Sequence, residues 1–202
     1  MSAPTDLDQP CGKHFSYRDL IDCGETWHLL HAEHSAGAVI DNLPREPDTF
    51  AAMRALCATL LDPLVEHFGP ISLTYAFASP ALTRQIPARI HPPLDQHAGH
   101  ERTRTGKPIC PRLGLAVDLL VRKVDSRVAA AWIAEHTAFD RLYFNGADRP
   151  IHVSVGPDQS RQIVHMRCGP SGRLIPWVVP PSFLLAVDRG EASPACARQG
   201  RW

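Results

Sequence analysis

Between Asp48 and Phe68 the chain places Phe50, Met53, Leu56, Cys57, Leu60, Leu61, Leu64, Val65 and Phe68 at three- and four-residue intervals. This is the period of an α-helix that buries one face, so the stretch must lie against another layer of structure. Pro63 falls inside it and lacks the N–H that an interior turn requires, which predicts a kink or a break. Cys57 lies on the apolar face and reads as a small core residue.

The remaining elements are shorter. Ser16 is placed to cap a helix through Ile21, with Gly24 ending it. The β-rich run Ile71 to Phe77 predicts a strand with its odd positions inward, and Ser79-Pro80 starts a short helix. From Pro87 to Pro111 the sequence turns polar and proline-rich, the mark of a long loop of the kind that often carries function. Leu113 to Val121 is an apolar run interrupted by Asp118 and reads as a buried strand whose carboxylate needs a partner. Ser126 is expected to cap a helix to about His136, with Val128, Ala131, Trp132 and Ala134 as its apolar residues. Arg141 to Phe144 and Ile151 to Val155 read as strands joined by a turn at Asn145-Gly146-Ala147-Asp148, and Gln162 to Arg167 as one more. Trp177, Val178, Val179, Phe183, Leu184 and Leu185 are apolar enough to pack back, and disorder is expected beyond Asp188. The division expected is a loose leader over 1–13, one domain over 14–168 with an insertion at about 87–112, and a Pro/Gly/Arg-rich extension over 169–202.

Composition narrows the function classes. Lys plus Arg number 21 and Asp plus Glu number 21, so the chain has no net field to draw in nucleic acid or an anionic membrane. No run approaches the roughly 18 apolar residues of a spanning helix, and the N-terminus has no signal-like segment, so a cytoplasmic protein is expected. The six cysteines show no C-x-x-C pair and read as free thiols, with Cys110 a minor candidate ligand. The sequence leaves the oligomeric state open.

Three short stretches carry chemistry: Asp95-Gln96-His97, Gly114 to Asp118, and Pro150 to Ser154. They supply two imidazoles and a carboxylate, a three-ligand set that leaves one position of a tetrahedral zinc ion open. Strand alternation lets Asp118 and His152 meet above one sheet face if their strands are neighbours, with His97 arriving from the long loop. Taken alone, a buried Asp accepting backbone hydrogen bonds and a His within a strand are also common without metal.

The chain resembles the zinc D-alanyl-D-alanine carboxypeptidase family, which shares the Hedgehog/DD-peptidase fold. The likeness runs in order through Phe15-Ser16-Tyr17-Arg18-Asp19-Leu20, Asn42-Leu43-Pro44, Leu61-Asp62-Pro63-Leu64, Phe68-Gly69 and Ser79-Pro80-Ala81-Leu82. It continues with Gln96-His97, Gly114-x-Ala116-x-Asp118, Phe139-Asp140-Arg141-Leu142 and His152-Val153-Ser154. The resemblance implies an α+β domain with a small, mainly antiparallel sheet and packed helices. It also implies zinc held by His97, Asp118 and His152, and a hydrolase in which metal-activated water attacks a small peptide or amide.

Three departures stand out. His97 and Asp118 are 21 residues apart, far more than in the family, so an insertion lies beside the metal. It offers His100 as a rival ligand and Glu101, Arg102, Arg104 and Lys107 as substrate contacts. Ala78 stands where the family has a substrate-holding Arg, for which Arg84, Arg89 or an insertion arginine would have to substitute. Asn145 stands where the family has its acidic base, and an amide cannot take up that proton. Asp148 is the nearest carboxylate and the expected base, with Glu101 the other candidate. A solvated turn Asp is the plainer reading of Asp148. The competing function is a catalytically inactive, zinc-containing binding module.

Overall fold

The computed structural model describes residues 4–24, 28, 40–86, 92–170 and 172–185. Its strands are β1 (Ile71–Tyr75), β2 (Leu115–Val121), β3 (Arg141–Phe144), β4 (Ile151–Val155), β5 (Gln162–Cys168) and β6 (Leu174–Val179). Its helices are α1 (Tyr17–Ile21), α2 (Pro47–Leu56), α3 (Asp62–Phe68), α4 (Pro80–Thr83), α5 (Ser126–His136) and α6 (Ser182–Leu185). The strands form one sheet in the order β1-β2-β4-β3-β5-β6. β3 and β5 pair in parallel and the other neighbours are antiparallel. The architecture is α+β with a six-stranded, mostly antiparallel sheet.

Strand alternation gives this sheet two unlike faces. Leu115, Val117 and Leu119 of β2 and Ile151 and Val153 of β4 share one buried cluster with Phe50, Met53, Leu56 and Leu60 of the long helix and with Ala129, Ala130 and Ile133 of α5. Leu56, Leu60, Leu61 and Leu64 have no exposed surface. Burying each such side chain is worth about 1.5–3 kcal/mol, so this layer holds the helix on the sheet. The opposite face carries Asp118, His152, Ser154 and Tyr143, with Asp118 directly across from His152 and His152 from Tyr143.

The long helix continues through the proline by changing its winding. Between α2 and α3 the turn Cys57–Leu61 is π-helical, and the Asp62 N–H reaches back to the Cys57 carbonyl. A wider turn just before Pro63 accommodates the missing N–H and the ring without breaking the apolar stripe. α1 begins with the expected Ser16 cap, completed by Asp19 as a capping box.

Several expectations are corrected. The leader is tied rather than loose from Leu7 onward: Arg18 N–H donates to the Leu7 carbonyl, and Lys13 and His14 N–H donate to the buried Asp62 carboxylate. At α5 the cap is Asp125, which accepts from the Arg127 N–H, while the Ser126 hydroxyl donates to the Arg149 carbonyl. Its buried apolar residues are Ala129, Ala130, Ile133 and the expected Ala134, and Val128 is 53% exposed. Ala131 and Trp132 are half-buried at the margin of the core, where Trp132 also stacks on His67 and His136. The boundary at residue 168 falls inside the sheet, since β6 pairs with β5 from Val179 to Leu174. Val179 and Leu184 are buried, whereas Trp177, Val178 and Leu185 stay exposed. The disorder expected beyond Asp188 lies outside the described residues. No helix among the described residues is long and apolar enough to cross a membrane.

One glycine carries a backbone requirement beside β2. Gly114 has φ +72°, and a Cβ added there would lie 2.0 Å from the Val155 carbonyl oxygen. Gly114→Ala therefore combines left-handed strain with a backbone clash and is expected to cost about 3 kcal/mol. A thermal melt followed by circular dichroism should show the midpoint fall by about 10 °C, and an unchanged midpoint would contradict the close approach.

Candidate metal centre

β1 contains an irregularity that shapes the site. Leu73 pairs with Leu119 but Tyr75, not Thr74, pairs with Asp118. The extra residue sends Tyr75 to the polar face, so the expected inward run of odd positions holds for Ile71 and Leu73 and switches face at Tyr75. There Tyr75 packs in a second small cluster with Ala78, Leu82 and Ile86, its ring 4.5 Å from that of His97.

The chain after β1 clasps His97. The Ala78 N–H donates to the His97 carbonyl, and the His97 Nδ1 lies 2.8 Å from the Ala76 carbonyl oxygen. A carbonyl only accepts, so Nδ1 carries a proton and Nε2 is the ring nitrogen turned toward Asp118 and His152. Asp95 caps the single turn Gln96–Ala98 by accepting from the His97 N–H. Gln96 then fastens this turn to the sheet: its Nε2 donates to the Leu113 carbonyl and the Asp140 carboxylate, and its Oε1 accepts from the Ser154 hydroxyl. Gln96, Asp140 and Ser154 are each at most 1% exposed.

These constraints bring His97, Asp118 and His152 together. His97 Nε2 is 3.3 Å from Asp118 Oδ1 and 3.2 Å from His152 Nδ1, and His152 Nδ1 is 2.8 Å from Asp118 Oδ1. Zinc–ligand bonds of about 2.0–2.1 Å in a tetrahedron set donor atoms about 3.3–3.4 Å apart, so the cluster fits such an ion with small adjustments. The three groups are nearly closed to solvent, with side-chain exposures of 2%, 10% and 14% for His97, Asp118 and His152. Burial pushes the Asp118 carboxyl up, but the charges and hydrogen bonds of the two imidazoles outweigh it and hold the group well below the usual carboxylate range. The cluster thus sets an ionised carboxylate against two imidazoles, a donor set that can take up a cation in exchange for the protons on the rings.

The rivals are engaged elsewhere. The His100 Nε2 accepts from the Gly114 N–H, and burial lowers the pKa of its ring. Cys110 is fully buried outside the cluster, with its thiol pushed up by desolvation. Glu101 is 3% exposed and accepts from the Arg45 and Glu46 N–H groups and the Thr49 hydroxyl. It gathers the two backbone N–H groups just before α2 and a hydroxyl in its first turn, so its carboxylate is committed to holding the insertion on the helix.

Asp148 is exposed in the β3–β4 turn, and Asn145 donates across that turn to the Pro150 carbonyl. Of the arginines considered for Ala78, Arg84 is exposed and Arg89 lies outside the described residues. Arg141 donates to Gln162 on the site face of the sheet. Among the described residues, His97, Asp118 and His152 are the group of metal-ligating side chains that converges.

No protein-family model, curated protein or solved structure matches the chain. Gln96, Ser154 and Asp140 belong to the stretches that carry the resemblance, yet their role as the fastening of the His97 turn was not readable from them. Nothing in the sequence signals that three separated polar residues share one buried network.

Proposed function

We propose that His97, Asp118 and His152 hold a zinc ion and that the chain is a zinc-dependent hydrolase of the Hedgehog and D-Ala-D-Ala carboxypeptidase type, acting on a small peptide or amide. The observation that carries this reading is the convergence of three donor atoms at 2.8 to 3.3 Å, with the His97 tautomer fixed by the Ala76 carbonyl. Two imidazoles and one carboxylate leave a tetrahedral position open, as catalytic rather than structural sites do. Zinc bound there would supply a Lewis acid that polarises a carbonyl and acidifies water. The order of the shared motifs along a mostly antiparallel sheet backed by the long helix supports the family reading.

The chain's own residues divide the remaining work. Asp118 and the two imidazoles set the charge at the site, and Gln96 holds the His97 turn in register. Asp148 is the candidate proton acceptor; from its exposed turn it must swing toward the site to serve. A binding module is the second reading, favoured by one observation: Glu101 is committed to α2, and no carboxylate besides Asp118 stands in the cluster among the described residues.

Metal analysis combined with hydrolysis of a D-amino-acid dipeptide library separates the two. Wild type is expected to carry about one equivalent of zinc and to turn over, and Asp148→Asn to keep the zinc while losing about a hundredfold or more in kcat. Equal turnover by the two proteins would remove Asp148 as the base. Zinc without turnover in either would favour the binding module.

A further inference from the structure

A cavity of about 1120 Å³ lies between α4, the segment before α2 and the insertion hairpin. Its basic lining residues are Arg45, Arg84, Arg102, Arg104 and Lys107, five of the 21 lysines and arginines in a chain of zero net charge. Ile86, Pro93, Ala98 and Ile109 contribute its apolar surface. Asp95 and Ala98 flank the turn that presents His97, but none of His97, Asp118 and His152 lines the cavity. It is therefore a second site, independent of the zinc reading.

The charges there are largely uncommitted. Arg45 and Arg102 form partly exposed pairs with Asp41 and Glu46, at 3.3 and 3.8 Å. Arg84, Arg104 and Lys107 are exposed and take part in no ion pair among the described residues. The acidic residue among the lining, Asp95, is 3% exposed and already accepts from the His97 N–H. The hairpin carrying Arg102, Arg104 and Lys107 is closed by the Arg102 to Pro108 bridge and by the Thr103 N–H donating to the Lys107 carbonyl. Its anchor is Glu101 on α2. Cations grouped around a concave apolar surface attract anions, and arginine pairs with carboxylates through two parallel hydrogen bonds.

We propose that this cavity docks an acidic peptide segment, with its carboxylates on Arg84, Arg104 and Lys107 and an apolar side chain against Ile86 and Ile109. The apolar surface distinguishes this ligand from a bare inorganic anion, which would gain nothing from it. Nucleic acid fits less well because its phosphates need a cationic track longer than one cavity.

The test uses the full chain and a short fluorescein-labelled peptide alternating Glu and Leu, with a Gln-for-Glu twin. The acidic peptide is expected to bind at least about tenfold more tightly than the twin and to weaken about tenfold between about 0.1 and 0.5 M NaCl. The triple variant Arg84→Glu, Arg104→Glu, Lys107→Glu should abolish binding. The neutralising set Arg84→Gln, Arg104→Gln, Lys107→Gln should weaken it about tenfold or more, with zinc content and melting temperature unchanged for both. Equal binding of the twin, unchanged binding by the variants, or binding of tripolyphosphate but not of the peptide would each overturn the proposal.

Discussion

Asp118→Ala is expected to reduce the zinc content of the purified protein from about one equivalent to under about a tenth. Asp118 supplies the negative charge of the cluster, and its Oδ1 lies within 3.3 Å of both imidazole nitrogens. Without it, two neutral rings remain to hold a dication in a site nearly closed to water, and the desolvation of the ion is no longer offset. His97→Ala should cause the same loss, because the ring nitrogen aimed by the Ala76 contact disappears. Asp118→Asn keeps the shape and removes the charge, so an intermediate loss is expected. Mass-spectrometric metal analysis of the three variants reads this directly, and zinc retained at wild-type level in Asp118→Ala would defeat the proposed centre. The variants are expected to stay folded, since the apolar cluster lies on the other face of the sheet.

Gln96→Leu should destabilise the fold by about 3 kcal/mol and weaken zinc binding by about tenfold or more. The leucine fills a similar space but leaves the buried Ser154 hydroxyl without its acceptor and the Leu113 carbonyl and Asp140 carboxylate each short of a donor. Burial pushes the Asp140 carboxyl up, but hydrogen bonds from Ser160 and Gln96 and the Arg141 charge hold it below its ordinary range. A carboxyl lowered by folding adds stability that is present above its unfolded pKa of about 3.9 and is lost as pH falls through the folded value. Removing the Gln96 donor raises that folded value toward the unfolded one, so the acid-induced loss of stability contributed by Asp140 should be smaller and should level off at a higher pH in Gln96→Leu. Urea melts across the acid range would reveal it. An acid limb identical to wild type would mean that the Gln96 contact contributes nothing to the ionised form.

Much of the architecture was legible because it rests on local rules. The stripe from Phe50 to Phe68 appears as a helix because apolar period alone determines which face can be buried. The spans Arg141–Phe144 and Ile151–Val155 match their expected limits, since alternation and an Asn-Gly turn are both short-range signals. The misread details are those that depend on distant partners. Ser126 does not cap α5 because its hydroxyl donates to the distant Arg149 carbonyl, which leaves the capping role to Asp125. The leader looked loose because the carboxylate that ties it, Asp62, lies on α3.

The sequence by itself determined which residues have ligand chemistry, since imidazole and carboxylate are properties of single side chains and strand alternation puts Asp118 and His152 out of the apolar face. Only the tertiary structure decided which of them meet. His100 and Glu101 have the same functional groups as His97 and Asp148, but a backbone N–H at Gly114 and the backbone N–H groups just before α2 take them first. The bulge in β1, the clasp on His97 and the Gln96 fastening bring His97 rather than His100 to Asp118 and His152. The physical reason is that a buried polar group must find a partner, and which partner is free is settled by chain segments far apart in sequence.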